Sequence, residues 1–374
     1  MWTMDLNEIV IWLALAFCGG VFGAAVGGLC AFVFCGVAAV ISSVFMLAGQ
    51  PGAAGAVDSW ITWGPLLGPQ ASFLGGGWAA VYAQYHAGFH NGRDICKPLV
   101  GLKRPDVLIV GGLGGVCGAF LTWCFWLIPG YHVQGQVLAS TNSVASGIAM
   151  AAIIGRLLFG KTGVFGKVDP GVRRWVGNDQ KCWLPWQHDS MQIMVLAVTI
   201  GFCGAYLTYI NVNFHLLLFG VMCILYLFMV LGQPVIAGHH FAICAYFATA
   251  ATGNVAWGLA FAILAGYLCE FFAFLFTAHG DSHIDPPTIA ITFCCIIQPF
   301  LLWAGLMPYA PLTGPTVKEN LFSFGHAFMP NGNMNGLIAL ASVVVLGPLF
   351  LKFLRMIPSA DEREAKANKG VKYV

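Results

Sequence analysis

The chain has 374 residues and a formal net charge of +2; 59% of the residues are hydrophobic and only 9% are Asp, Glu, Lys or Arg. Soluble globular chains carry about 25% charged residues, so this composition excludes an ordinary soluble domain and predicts a protein that is solvated by the lipid bilayer. No basic stripe is present, and we expect no binding to nucleic acid. The predicted fold class is an all-α, polytopic integral membrane protein.

Apolar runs predict the membrane segments in chain order. The first set covers 8–28, 30–48, 54–72, 73–89, 107–128 and 139–159, and the second covers 191–210, 214–232, 236–252, 255–278, 288–307 and 334–354. From Ser190 to Cys269 there is no Asp, Glu, Lys or Arg, which is enough chain for several crossings at about 20 residues each. The predicted organisation is a first membrane repeat, 1–159, a basic connection, 160–190, a second membrane repeat, 191–356, and a tail, 357–374.

Two sequence matches indicate that the halves are related. "GVAAVISSVFMLAGQP", which begins at Gly36, resembles "GVMCILYLFMVLGQP", which begins at Gly220, and both end in Gly-Gln-Pro. His90 is followed, 189 residues later, by His279 in a similar setting. Internal duplication is a recurring feature of transporter folds, in which the binding site lies between the repeats.

Lysines and arginines indicate the orientation, because basic loops favour the cytoplasmic side. They concentrate in 93–104, 156–181 and 352–372. Twelve crossings would bring these three stretches to one side, with parallel repeats and both termini in the cytoplasm, and we expect this arrangement in the cell membrane. The alternative makes the first broken segment of each half re-entrant, which gives five crossings in each half and inverted repeats.

Interrupted segments at membrane depth are the first candidate for a solute pathway. "ITWGPLLGPQASFLGGGW", beginning at Ile61, holds two Gly-Pro steps and three consecutive glycines, and 237–258 is its small-residue counterpart. Proline breaks the helical hydrogen-bond ladder, and the freed backbone groups must be sheltered by protein or by a wet cavity. The polar and glycine residues expected to line the pathway are Gln70, Gly75, Gly76, Thr252 and Asn254.

Isolated carboxylates are the second candidate. Glu270 lies in "AGYLCEFFAFLF" at the end of the uncharged stretch, and Asp58 precedes the first broken segment. A carboxylate in the membrane is costly unless it is paired, wet or protonated. We therefore expect both acids to act in the pathway as proton-carrying or cation-binding groups. The alternative for Glu270 is a structural pair with a histidine or arginine of a neighbouring helix.

A third candidate is the short motif His279-x-Asp281-x-His283-x-Asp285. Histidine nitrogen and carboxylate oxygen suit a divalent transition metal, so these four residues are a candidate metal site. No other feature of the sequence requires a cofactor. The alternatives are a vestibule or gating role, or simple helix capping, in which Asp285 and the following prolines begin the next helix. Further histidines near predicted segment ends are expected to line a vestibule or gate: His86, His90, His239 and His240.

The sequence therefore predicts a transporter or channel for a small neutral or cationic solute, with its path between the two halves. The alternatives are a membrane-embedded metal-binding protein that uses the motif, and a non-catalytic subunit that docks a partner through 160–190. No P-loop, GxSxG or HExxH motif is present, and enzyme activity is not expected. The glycine-rich stretch 18–30 favours close helix association, so a homo-oligomer is expected.

Overall fold

The computed structural model of the chain describes residues 5–176, 182–214 and 216–364; parts of the predicted connection 160–190 and of the tail 357–374 lie outside these ranges. The described chain is mostly helical, and one short β-hairpin joins two helices. The elements are α1 Leu6–Val26, α2 Gly28–Leu47, α3 Pro51–Val57, α4 Ser72–His86, α5 Pro105–Trp126, β1 Tyr131–Val133, β2 Gln136–Leu138, α6 Ser143–Phe159, α7 Ser190–Ile210, α8 Leu217–Ile224, α9 Tyr226–Val230, α10 His239–Thr252, α11 Val255–Phe272, α12 Pro286–Trp303, α13 Lys318–Leu321, α14 Phe324–Phe328 and α15 Asn335–Met356.

Among the described residues, eight helical segments are long and apolar enough to cross a membrane. They are Leu6–Val26, Gly28–Leu47, Pro105–Trp126, Ser190–Ile210, Val212–Val230, Val255–Thr277, Pro286–Trp303 and Asn335–Met356. The apolar helix Ser143–Phe159 is shorter. The prediction of an all-α protein with apolar helices of membrane length is confirmed, since these helices correspond to apolar runs of the sequence.

The predicted segment 54–72 is interrupted, as its two Gly-Pro steps indicated. The chain forms α3, continues as the π-helical turn Asp58–Thr62, and has no further helix until Ser72. The two Gly-Pro steps fall in this interruption, where proline cannot donate the hydrogen bonds of a helix. The predicted segment 214–232 is also divided, into α8 and α9, and the segment before α10 is unwound over 233–238.

Polar residues and prolines fix the starts of several helices. Asp5 and Glu8 form a reciprocal capping box at α1, and Asp189 accepts hydrogen bonds from the first turn of α7. Asp285 caps α12, whose first turn contains Pro286 and Pro287. The predicted start of this helix is therefore confirmed. Proline suits the first position because it has no amide hydrogen that the cap would need to satisfy.

Helices α1, α4 and α5 pack closely through glycines, and α6 packs on α4 and α5. A Cβ built on Gly20 would lie 2.2 Å from the carbonyl oxygen of Gly111, and one on Gly75 would lie 2.5 Å from the Cα of Gly20. Only glycine allows three backbones to approach this closely, and small residues are used in the same way where membrane helices pack.

Helices α7, α10 and α11 form a second group, and α12 and α15 pack on α11. Gly201 faces Ala262, and Gly258 faces Thr249. The two groups meet where α2 packs on α8 and α6 packs on α12. Along the first contact, Gly36 lies against Cys223 and Val40 lies against Gly220, so α2 and α8 run antiparallel.

The loops lie at two opposite ends of the helices. At one end, Arg93 donates to the carbonyl of Ala278 over 2.9 Å, and Arg355 donates to the carbonyl of His188 over 2.8 Å. At the other end, Trp12 of α1 packs against Trp126 of α5 with ring centroids 6.2 Å apart. The start of α1 and the end of α15 therefore lie at opposite ends of the bundle.

Candidate functional site

A cavity of about 320 Å³ lies between the two helix groups. Its wall combines aromatic and aliphatic side chains with a small number of polar groups, as is usual for small-molecule sites. The lining includes Phe32, Trp63, Phe73, Arg93, Asp94, Asn142, Ala145, Phe219, Tyr226, His239, His283 and Asp285.

The cavity is elongated along the bundle. Its lining includes Asn142, the N-cap of α6, and Arg93, whose bond to Ala278 places it near the other end of that helix. A helix with the 17 residues of α6 is about 25 Å long. The polar groups of the lining are thus distributed over most of the length of α6.

The first helix interruption supplies Trp63 and Pro69 to the cavity wall. Behind them, Gln70 is completely buried, and its Nε2 donates to the carbonyls of Trp63 and Gly64. Gln70 Oε1 has no hydrogen-bond partner within the described ranges. Gln70 therefore satisfies the backbone that the Gly-Pro steps leave open, and it lies behind the wall rather than in it.

The second interruption, 233–238, is held by the end of the connection. Gln187 Nε2 donates to the carbonyl of Ala237 over 3.0 Å, and its Oε1 accepts from the Ala237 amide over 2.8 Å. Trp186 Nε1 donates to the carbonyl of Val235 over 2.8 Å. These side chains replace the helical hydrogen bonds that the unwound backbone lacks.

An aromatic wall lines the middle of the cavity. The ring of Phe32 lies 5.6 Å from Phe73, 6.2 Å from Phe219 and 6.0 Å from Tyr226. His239 completes the wall, with its ring 5.1 Å from Phe32 and its Nδ1 2.9 Å from the Tyr226 hydroxyl. Phe32, Phe219 and Tyr226 did not stand out in the sequence, because single aromatic residues in apolar runs are most often core residues.

Asp285 and His283 form a buried pair in the same cavity. His283 Nε2 lies 3.1 Å from Asp285 Oδ1, and Asp285 Oδ2 accepts from the amide and the hydroxyl of Thr288 over 2.9 and 2.6 Å. The His283 ring contacts Phe73 edge-on at 5.9 Å. The pair therefore joins the aromatic wall to the capped start of α12.

The four residues of the His279–Asp285 motif do not converge on a common point. His279 Nε2 bonds to the carbonyl of Arg174 over 2.9 Å, whereas Asp281 accepts from Thr162 and Tyr85 over 2.7 and 2.8 Å. No three His, Cys, Asp or Glu residues are placed to hold a metal ion in the described part of the chain. The expectation of a shared metal site is corrected accordingly, because His279 and Asp281 bond to separate partners and only His283 and Asp285 contact each other.

Asp281 ties this loop to the start of the connection. Burial opposes ionisation of the Asp281 carboxyl, but hydrogen bonds from the Lys161 amide, Thr162 and Tyr85 outweigh it and lower the pKa of this carboxyl below its ordinary value. The charged form is therefore favoured in the folded protein.

Arg156 holds the same loop from the opposite side. Its side chain is completely buried, although the sequence places it in the basic stretch 156–181 that we expected to be cytoplasmic. Nε donates to Ser282 Oγ over 2.7 Å, and the terminal nitrogens donate to the carbonyls of Val164 and Phe276 and, over 2.5 Å, to that of Ser282. The only sequence signal was a lone arginine in the last turn of an otherwise apolar predicted segment.

Glu270 is paired. Its Oε1 contacts His188 Nδ1 and lies 3.3 Å from Arg355 Nη2. It is outside the cavity lining, and its geometry matches the alternative of a structural pair that bridges α11, the connection and α15. Asp58 begins the π-helical turn after α3 and is also outside the lining.

The remaining residues expected in the pathway lie in helix contacts and turns. Thr252 Oγ1 donates to the carbonyl of Ala248 over 2.7 Å, and Asn254 caps α11 by accepting from the Ala256 amide over 2.8 Å. Gly75 and Gly76 face other glycines of the first helix group. None of these residues is in the cavity lining.

The four vestibule histidines separate into different environments. His239 lines the cavity. His240 is completely buried, and neither of its ring nitrogens has a hydrogen-bond partner in the described residues. His86 stacks on Tyr82 with ring centroids 4.5 Å apart, and His90 pairs with Asp94 over 3.1 Å.

The fold and cavity define a helical protein whose apolar helices are long enough to cross a membrane. The chain belongs to the Family of unknown function (DUF7973), whose model matches residues 1–173 and 173–314. No curated protein matches the chain, and no solved structure does.

Proposed function

We propose that the protein is a membrane transporter or channel for a small neutral or cationic solute, and that the solute passes through the cavity between the two helix groups. The observation that carries this proposal is the elongated cavity itself. It is bounded by Trp63 and Pro69 of the first helix interruption and by Trp186, whose side chain holds the second, and its polar groups extend along the bundle.

The two helix groups are two inverted repeats in this proposal. Helix α1 packs on α4 and α5 as α7 packs on α10 and α11, and α6 packs on α4 and α5 as α12 packs on α10 and α11. In the same scheme α2 corresponds to α8, and these two helices are antiparallel partners. A contact between equivalent antiparallel helices is what a two-fold axis in the membrane plane produces.

The interruptions also correspond. Gly-Gln-Pro follows α2 at 49–51 and follows α9 at 232–234, and because α2 and α8 are antiparallel, the two copies lie at opposite ends of the bundle. A broken segment then leads into α4 in one repeat and into α10 in the other. This arrangement supports the inverted alternative over parallel repeats.

The basic loops agree with this topology. Five crossings in each repeat, followed by α15, give eleven crossings and bring 93–104, 156–176 and 352–363 to one side. That side is cytoplasmic by the positive-inside rule. The start of α1 is then on the outer side, so the expectation that both termini are cytoplasmic is replaced by an outside start and a cytoplasmic end.

The test is uptake by liposomes that contain the purified protein. Ala145→Phe adds a ring to the cavity wall, since Ala145 is a buried lining residue. Ala149→Phe is the matched control, because Ala149 lies one turn further along α6 and lines an apolar groove outside the cavity. Uptake of the transported solute is expected to fall at least about tenfold only in Ala145→Phe, a change of about 1.4 kcal/mol. Equal uptake by both variants and the wild type contradicts the proposal.

A further inference from the structure

We propose that the solute is a small organic cation with an alkylated ammonium group, held between the aromatic wall and the Asp285 carboxylate. This inference rests on the proposed function and specifies the substrate class of the same cavity. It combines three observations on the lining: contiguous aromatic rings, more carboxylates than guanidinium groups, and a volume suited to a small molecule.

The first observation is a contiguous group of aromatic rings in the cavity lining. Phe32 contacts Phe73, Phe219 and Tyr226, and Trp63 contacts Phe219 with centroids 5.3 Å apart. All five rings line the cavity. Aromatic faces attract a poorly hydrated cation through their quadrupoles, and a group of several rings is the usual recognition element for alkylated ammonium ions.

The second observation concerns the charged side chains of the cavity lining. The cavity lining contains two carboxylates, Asp94 and Asp285, and one guanidinium, Arg93. The carboxylates of the lining therefore outnumber its guanidinium group by one. Arg93 Nη1 donates to the carbonyl of Ala278, and Asp94 Oδ2 pairs with His90, so both of these side chains are engaged at the loop end.

Asp285 is the carboxylate next to the rings. Its Oδ2 is occupied by two bonds from Thr288, whereas Oδ1 has the contact with His283. His283 itself touches Phe73. A monovalent cation in the cavity would compensate the negative charge of Asp285, whereas an anion would meet both the carboxylate and the negative faces of the rings.

The third observation is the volume of the cavity. Ligand pockets commonly measure about 300–1,000 Å³, and a cavity of about 320 Å³ is at the small end of that range. It therefore suits a compact head group with a short substituent. Because the wall is largely aromatic and aliphatic, the ammonium should carry methyl or other alkyl groups rather than many hydrogen-bond donors that the wall leaves unpaired.

The test compares choline with its uncharged isostere, in which a tert-butyl group replaces the trimethylammonium group. The full-length protein in lipid nanodiscs is titrated with each compound, and binding is followed by calorimetry and by tryptophan fluorescence, since Trp63 lines the cavity. Wild type is expected to bind choline about 3- to 30-fold more tightly than the isostere, the range typical of cation–π contacts.

Three variants separate charge from shape. Asp285→Asn keeps a good N-cap residue but removes the charge, and it is expected to abolish the preference for choline while binding of the isostere stays within about twofold. Phe32→Leu is expected to reduce the preference at least about threefold. Phe22→Leu is its control, because Phe22 packs on Phe34 away from the cavity, and it should keep the wild-type preference.

The outcomes distinguish this inference from the proposed function. Equal binding of choline and its isostere by wild type, or an equal loss of both in Phe32→Leu, overturns the cation proposal. If Ala145→Phe still blocks uptake of a neutral solute in that case, the transport proposal stands alone. If neither compound binds, and Ala145→Phe leaves uptake of every tested solute unchanged, both proposals fail.

Discussion

Arg156 Nε donates to the hydroxyl of Ser282 over 2.7 Å, across 126 residues of sequence. This contact joins α6 of one helix group to the loop that precedes α12 of the other. The same loop carries His283 and Asp285 into the cavity. A buried guanidinium that satisfies backbone carbonyls of an irregular segment is well suited to this position, since its donors are fixed in a planar fork.

Replacement of Arg156 by Met is expected to destabilise the protein strongly. The substitution removes the donors for the carbonyls of Val164, Phe276 and Ser282, and each buried group left unpaired costs about 1–3 kcal/mol. A loss of at least about 3 kcal/mol is expected from three such groups, measured by denaturant unfolding in mild detergent. Arg104→Met is the control, since Arg104 forms an exposed pair with Asp106 of the kind worth about 0–1 kcal/mol. Equal stabilities of the two variants would contradict the role assigned to Arg156.

The stability contribution of Asp281 is expected to depend on pH. The pKa of this carboxyl is lowered in the folded protein, so its contribution is fully present above the ordinary value of 3.8 and is lost as the pH falls through the lowered pKa. Asp281→Asn should therefore unfold more easily than wild type at neutral pH, by about 1–3 kcal/mol. The difference should shrink below pH 3.8. A difference in stability between wild type and Asp281→Asn that grows as the pH falls would contradict this role of the Asp281 carboxylate.

Substitution of Glu270 should affect stability more than selectivity. Glu270 pairs with His188 and Arg355 outside the cavity, so Glu270→Gln is expected to weaken the attachment of α15 and to lower the unfolding temperature. Per folded molecule, the preference for a cationic over a neutral solute should remain within about twofold of wild type. A loss of the preference for the cationic solute as large as that in Asp285→Asn would indicate that Glu270 takes part in the solute pathway.

The two ends of the described chain are expected on opposite sides of the membrane. Cysteines introduced at Asp5 and at Glu364 can be labelled in sealed cells with a membrane-impermeant thiol reagent, in a background in which the native exposed cysteines, Cys18 and Cys203, are replaced by alanine. The cysteine at position 5 should react from outside, whereas that at 364 should react only after the membrane is permeabilised. Reaction of both only after permeabilisation would support parallel repeats and twelve crossings.

Local patterns allowed much of the fold to be predicted. Long apolar runs predicted membrane-length helices, the two Gly-Pro steps predicted an interruption, and the Asp285-Pro286 step predicted the start of α12. Each of these depends on neighbouring residues only. By contrast, the regular spacing of His279, Asp281, His283 and Asp285 suggested a common ligand, whereas the loop directs His279 and Asp281 to separate partners and leaves only His283 and Asp285 in contact.

The cavity could not be predicted because it depends on contacts between distant parts of the chain. Phe32 and Tyr226 are ordinary aromatic residues in apolar segments, and they meet only because α2 packs on α8 and α9. Glu270 stood out because its sequence neighbours are apolar, but its partners lie 82 and 85 residues away. Isolation in the sequence therefore indicated a buried charge without indicating what compensates it.

The most direct measurement is a density map of the protein in nanodiscs with choline at saturating concentration. Non-protein density is expected in the cavity against the rings of Phe32 and Tyr226, with its positive group facing Asp285. The density is also expected to disappear in Asp285→Asn. A cavity filled by protein side chains, or choline density confined to other surfaces, would contradict the proposed site.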